Sequence, residues 1–72
     1  MENLKKWLDE YCTLDKDAES KCVILYDDYC AYCCENDLEN VLYALFKETL
    51  INLGVESRVV DDVIILKGIM KK

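Results

Sequence analysis

Residues 40–68 read NVLYALFKETLINLGVESRVVDDVIILKG, and the change of period at Gly54 decides the fold. Before that glycine, Val41, Leu42, Leu45, Phe46, Thr49, Leu50 and Leu53 recur at the spacing of one helix face, which predicts a helix from about Asn40 to Leu53. Gly54 stands just past the end, where a positive φ costs a glycine least. Beyond it the helical period is lost. Val55, Ser57 and Val59, then Val63, Ile64, Ile65 and Leu66, are mostly β-branched or apolar, and Asp61-Asp62 divides them. That pattern predicts a β-hairpin with an acidic two-residue tip.

Upstream, Leu25, Tyr26, Tyr29, Tyr32 and Cys33 place a second helix from Ile24 to Glu35, with Asn36-Asp37 as a stop of the kind that tolerates left-handed backbone. Cys22 and Val23 are expected to form a very short strand. Thr13 to Lys21 is polar and charged, which predicts a loop with Asp15 and Asp17 as caps. From Glu2 to about Cys12, Leu4, Trp7, Leu8 and Tyr11 make the apolar stripe of an amphipathic helix, with Lys5, Lys6, Asp9 and Glu10 outward. After Gly68 and Ile69-Met70, the Lys71-Lys72 tail is expected to fray.

The order helix, short strand, helix, helix, hairpin is α+β, and it is that of a small winged-helix domain spanning residues 1–72. In that arrangement the second and third helices form a helix-turn-helix and the hairpin packs beside the third helix as a wing. Another α+β arrangement of the same elements stays open at this level. The expected core is one apolar centre shared by Trp7, Leu25, Phe46 and Leu50.

Seventy-two residues make one domain at most, and a domain so small hides only about 60% of its unfolded surface, which leaves no room for a deep catalytic cleft. Hydrophobic residues at 53% against charged residues at 33% describe a chain that folds. Fifteen acidic and nine basic residues give a net charge of −6, so the mean field repels polyanions, and any contact with DNA needs a local cationic patch. No apolar run reaches the roughly 18 residues of a membrane span, so no membrane association is expected. Five cysteines, an odd number with no apolar signal segment before them, point to a reducing, cytoplasmic setting.

Three sets of residues invite a sharper reading. Cys30, Cys33 and Cys34 with Cys12 or Cys22 would supply four thiolates for zinc, but the first pair sits inside a predicted helix and there is no second C-x-x-C. Small buried fillers are the commoner role, so no metal is expected. Tyr26, Tyr29, Tyr32 and Tyr43 could stack on bases; at helical spacing the first three read as core walls, while Tyr43 is expected to face outward. The acidic groups Asp27-Asp28, Glu35 to Glu39 and Asp61-Asp62 lack calcium-loop spacing and read as solvated faces. With no histidine the commonest general base is missing, so neither enzymatic activity nor a cofactor is expected.

The run Leu25-Tyr26, Tyr29, Tyr32-Cys33, Glu35-Asn36, then Phe46, Leu50, Gly54-Val55 and Gly68-Ile69 resembles the C-terminal winged-helix domain of phage and plasmid primases and poxvirus-type primase-helicases. Trp7, Leu8 and the Cys12 to Asp17 stretch match the helix and acidic linker that lead into it, so the resemblance covers nearly the whole chain. The matching residues are packing and turn residues. The resemblance implies a non-catalytic accessory module of a viral or phage replicative primase-helicase that engages DNA, single-stranded or forked, beside a helicase domain of the same polypeptide. The primase and nucleotide sites of such a protein lie upstream, and no G-x-x-x-x-G-K-[ST] loop occurs in this chain. For a virus the setting would be the host cytoplasm.

Two expectations follow. For DNA, the candidate residues are Tyr43, Lys47, Arg58, Lys67, Lys71 and Lys72. The positions where that family tends to place cations on the third helix hold Tyr43, Ala44, Glu48 and Ile51 here, and Asp61 and Asp62 would repel phosphate at the wing tip. The alternative is an interaction or oligomerisation module of the replication machinery, meeting a protein partner through Tyr43, Ala44, Leu45 and Ile51.

Overall fold

The structure is a computed structural model and describes residues 2–72. Its elements are α1 (Glu2–Tyr11), β1 (Cys12–Lys21), α2 (Cys22–Glu35), α3 (Tyr43–Asn52), β2 (Glu56–Val60) and β3 (Val63–Lys71). The strands form one antiparallel sheet in the order β1-β3-β2. Element order and sheet order together give an α+β, winged-helix-like topology, as the change of period at Gly54 implied.

Both helix stops and the hairpin turn are built from residues the sequence marks. At the end of α3, Gly54 has φ 102°; its N–H donates to the Ile51 carbonyl and that of Val55 to Leu50, a Schellman closure that brings buried Val55 back against Leu50. The α2 stop repeats the pattern with Asp37 at φ 57°, and the Leu38 N–H donates to the Cys33 carbonyl at 2.8 Å. Asp61 and Asp62 both have positive φ and join Val60 to Val63 in a two-residue turn of the I′ kind, whose twist suits a hairpin.

Four expectations are corrected. The stretch Thr13 to Lys21 is not a loop; it belongs to β1, which pairs with β3 from Cys12 opposite Lys71 to Lys21 opposite Ile65. Residues 15–18 bulge out between the pairs Leu14–Ile69 and Glu19–Lys67, facing Gly68, whose φ of 104° suits the bend. As an edge strand with most of its side chains in solvent, β1 tolerates a charged sequence that hides the pairing. Cys22 and Val23 are not a strand but the first turn of α2, because Cys22, Leu25, Tyr29 and Cys33 share one buried helix face at i, i+3, i+7, i+11.

The third helix starts at Tyr43, not Asn40, because tyrosines take the backbone groups a helix would use. The Tyr26 hydroxyl donates to the Val41 carbonyl at 2.7 Å, and the Val41 N–H donates to the Tyr29 hydroxyl at 3.2 Å. The C-terminal segment is paired, not frayed, since Ile69 is fully buried in β3 and the Lys72 N–H donates to the Tyr11 carbonyl at 2.8 Å.

The expected core is present. Trp7, Leu25, Phe46 and Leu50 are buried together with Leu4, Tyr29, Cys33, Val55, Leu66 and Ile69. At its centre, Trp7, Tyr29 and Phe46 meet with ring centroids 5.4–5.9 Å apart. Each such ring buries about 1.5–3 kcal/mol of hydrophobic free energy, so three of them dominate a domain this small. Asn3 latches α1 to the rest by donating to the Glu39 carbonyl and accepting from the Tyr29 hydroxyl at 3.3 Å.

Candidate interaction surfaces

The sheet places the wing cations among carboxylates. Directly opposite residues of an antiparallel ladder share a face, so Glu19, Lys67 and Glu56 form one row and Lys21, Ile65 and Arg58 the next. Lys67 therefore stands between two glutamates, and Arg58 reaches diagonally to Glu19 at 2.9 Å. That pair is exposed and adds at most about 1 kcal/mol to stability, yet it neutralises the cation locally. Lys67 also borders a shallow cleft of about 420 Å³ shared with Lys16, Asp17 and Glu56.

The terminal lysines are engaged as well. Lys71 pairs with Asp28 at 2.6 Å and lies 5.3 Å from the centre of the Tyr11 ring, while the Lys72 ammonium donates to the Asp9 carbonyl at 3.0 Å. Asp28 also accepts from the Trp7 indole N–H at 2.9 Å. Partial burial pushes the Asp28 carboxyl up, but the Lys71 ammonium and the Trp7 N–H together outweigh it and hold the group below its ordinary range. Asp28 thus ties α2 to α1 and to β3.

On α3 the candidate residues separate onto two flanks. Tyr43 does not face outward as expected: it is half-buried, its ring meets Tyr26 edge-on at 5.1 Å, and its hydroxyl bonds the Cys22 thiol. That bond to sulfur, with burial second, pushes the Tyr43 hydroxyl up to about 12. Half-buried Lys47 lies one turn on and near Cys22. Ala44, Leu45, Glu48 and Ile51 are exposed, Leu45 by 42% and Ile51 by 39%. Of the cations proposed to touch DNA, Lys47 alone lies on α3, with Glu48 beside it.

The opposite flank carries a feature the sequence reading missed. Leu42, Leu45, Thr49 and Leu53 recur at i, i+3, i+7, i+11 along α3, and three of them are large, exposed leucines. Of these, Thr49 and Leu53 line a groove of about 490 Å³ between α1, β1 and the last turn of α3, together with Leu4, Leu8, Cys12, Leu14, Leu50, Lys5 and Asp9. Leu14 is 67% exposed and Leu53 57%. The Thr49 hydroxyl donates to the Leu45 carbonyl at 2.8 Å, which satisfies its polar atom within the helix. The stripe is legible once its i, i+3, i+7 spacing is separated from that of the buried pair Phe46 and Leu50.

All five cysteines are free; Cys12, Cys22 and Cys33 are buried and Cys34 is exposed. Burial raises the Cys12 thiol to about 11, against the effect of Lys71, so this thiol is a poor nucleophile. No group of three or more His, Cys, Asp or Glu converges among the described residues. Tyr29 is fully buried and Tyr26 half-buried, with both hydroxyls bonded to protein, and Tyr32 packs edge-on against Tyr11 at 5.6 Å. Burial pushes the Tyr29 hydroxyl to about 12.

No protein-family model matches the chain, and no curated protein does.

Proposed function

We propose that this winged-helix-like domain is a non-catalytic module that docks onto protein, in a replication assembly of the primase-helicase kind, through exposed apolar residues of α3. One observation carries this reading: α3 presents Leu42, Leu45, Ile51 and Leu53 to solvent where a duplex-reading helix needs cations. The motif resemblance in α2, α3 and the hairpin supports the replication setting. A photo-reactive residue in place of Ala44 should cross-link to a partner protein, and Leu45→Lys with Ile51→Lys should abolish that cross-link. Persistence of the cross-link in the double variant overturns the reading.

DNA binding is the second reading, favoured by the winged-helix-like topology, in which a hairpin follows α3 in the chain, and by Lys47, Arg58, Lys67, Lys71 and Lys72. Arg58 and Lys71 are paired with carboxylates and Lys67 is flanked by two, which is why it ranks second. Fluorescence anisotropy with single-stranded and forked DNA separates the two. Docking onto protein expects affinity no tighter than about 10⁻⁴ M at physiological salt, the weak end of nonspecific contact. Tighter binding that Lys47→Glu removes would establish the DNA reading.

A further inference from the structure

We infer that the outer edge of β2 pairs with the same edge of a second copy of this chain, antiparallel and centred on Ser57, so that two three-stranded sheets join into one. This contact goes beyond the docking reading and is separate from the surface of α3. Of the sheet's two outer strands, β1 is guarded and β2 is not. The first is broken by the bulge at residues 15–18, which carries Asp15, Lys16 and Asp17. The second stays in register with β3 throughout, from Glu56 opposite Lys67 to Val60 opposite Val63. Bulges, lysines and prolines are the usual means of blunting a strand edge, and β2 has none of them.

The turn fixes which backbone groups are free. Val60 and Val63 flank a two-residue hairpin turn and so exchange both of their backbone hydrogen bonds. Alternation along the ladder then turns Glu56, Arg58 and Val60 toward β3 and leaves the N–H and C=O groups of Ser57 and Val59 pointing away from it. Every residue of β2 is exposed, Val59 by 68%.

Charge selects the occupant and the register. Side chains directly opposite on an antiparallel pair share a face about 5 Å apart. With Ser57 opposite Ser57 of the second copy, Glu56 faces Arg58 of the second copy and Arg58 faces Glu56 of the second copy, two complementary pairs made by one two-fold axis. Centring on Arg58 would set that cation against itself, and centring on Val59 would set it against Val60. Within its own chain Arg58 spends one guanidinium nitrogen on Glu19, which leaves donors for a second carboxylate, and Glu56 is in no ion pair among the described residues. A foreign strand would have to bring Glu and Arg two residues apart in that order; a second copy always does. Five residues a side make a small contact, and −6 on each copy opposes it at long range, so the expected dissociation constant is about 10⁻⁴ M.

Sedimentation equilibrium of the 72-residue chain from about 10⁻⁵ to 10⁻³ M should show monomer and dimer in exchange. Arg58→Glu and Glu56→Arg each set like charges opposite one another, and each should weaken the dimer about tenfold or more. An equimolar mixture of the two variants, whose charges are complementary across the contact, should associate at least as tightly as the parent chain. Ser57→Pro removes an N–H that points outward and none that bonds β3, so it should abolish the dimer and leave the circular dichroism spectrum of the fold unchanged. In the parent chain the Ser57 N–H should exchange with solvent more slowly as protein concentration rises, a readout that needs no variant. A chain still monomeric at about 10⁻³ M overturns the inference and leaves the edge to a foreign strand. So does a mixture no tighter than its separate components. A dimer that survives Ser57→Pro overturns it too, and if that dimer is lost in Leu45→Lys with Ile51→Lys, the contact between copies is α3.

Discussion

The two flanks of α3 are treated differently by one fold. Toward α2, Tyr43, Phe46 and Lys47 meet Tyr26, Tyr29 and Cys22, and the space is filled by rings in contact at 5.1–5.4 Å. Toward α1, Leu53 lines an open groove with Leu4, Leu8, Leu14 and Leu50, and Leu42 and Leu45 stay exposed to solvent. Folding is served by the first flank. The second leaves apolar surface exposed in a domain too small to spare much hydrophobic free energy, which is the expected signature of a surface completed by another molecule.

The largest test of this contrast is Phe46→Ala. Phe46 is fully buried and touches Trp7, Tyr26 and Tyr29, so its loss removes transfer free energy and opens a cavity at the joint of all three helices. Urea unfolding should show a loss of about 3–5 kcal/mol, enough to unfold much of so small a domain. A loss under about 1 kcal/mol would mean that the rings do not carry the fold.

Next in size is Tyr43→Phe. The ring contact with Tyr26 survives while the bond to the Cys22 thiol is lost, so the expected cost is about 0.5–1.5 kcal/mol. An unchanged midpoint would return Tyr43 to the solvent-facing role its position in the sequence suggested. The reason for that misreading is physical. A helical repeat shows which residues share a face, but how far the neighbouring α2 reaches around that face depends on tertiary packing.

The same distinction explains what else was legible. The helices, the turn at Asp61-Asp62, the stop at Gly54 and the shared core follow from periodicity and from φ preferences, both local. The strand β1 does not, because its pairing is supplied by residues some fifty positions away, as in Leu14 opposite Ile69. For the same reason the partners of Arg58 and Lys71, namely Glu19 and Asp28, could not be read from the chain, and the cationic stripe looked freer than it is. Leu14 falls in a polar, charged stretch whose sequence predicts a loop, so its place beside α1 and α3 is not legible in the chain.

A smaller effect concerns Asp28, which joins three elements outside the ring cluster. Its carboxyl is held below the ordinary aspartate range, so the folded state favours the ionised form. Its contribution is present in full above the unfolded pKa, about 3.9, and is lost as pH falls through the lower folded value. Because Asp28 and Lys71 are each more than a third exposed, about 1 kcal/mol is the ceiling. The stability difference between the parent chain and Asp28→Asn should be flat from pH 7 to about pH 5 and shrink below about pH 4. A difference that grows on acidification would reverse the assignment.

The smallest expected change in stability is the most informative for the contrast between the flanks. Leu53→Glu alters a large apolar residue, and in a core it would be ruinous. Here the side chain is 57% exposed, and the closing bonds of α3 run through the backbone of Leu53, Gly54 and Val55. The thermal midpoint should therefore move by no more than about 0.5 kcal/mol equivalent in either direction. If Leu53→Glu instead destabilises the isolated chain by about 2 kcal/mol or more, as a buried leucine would, the groove belongs to the core. The two flanks of α3 would then be doing the same job.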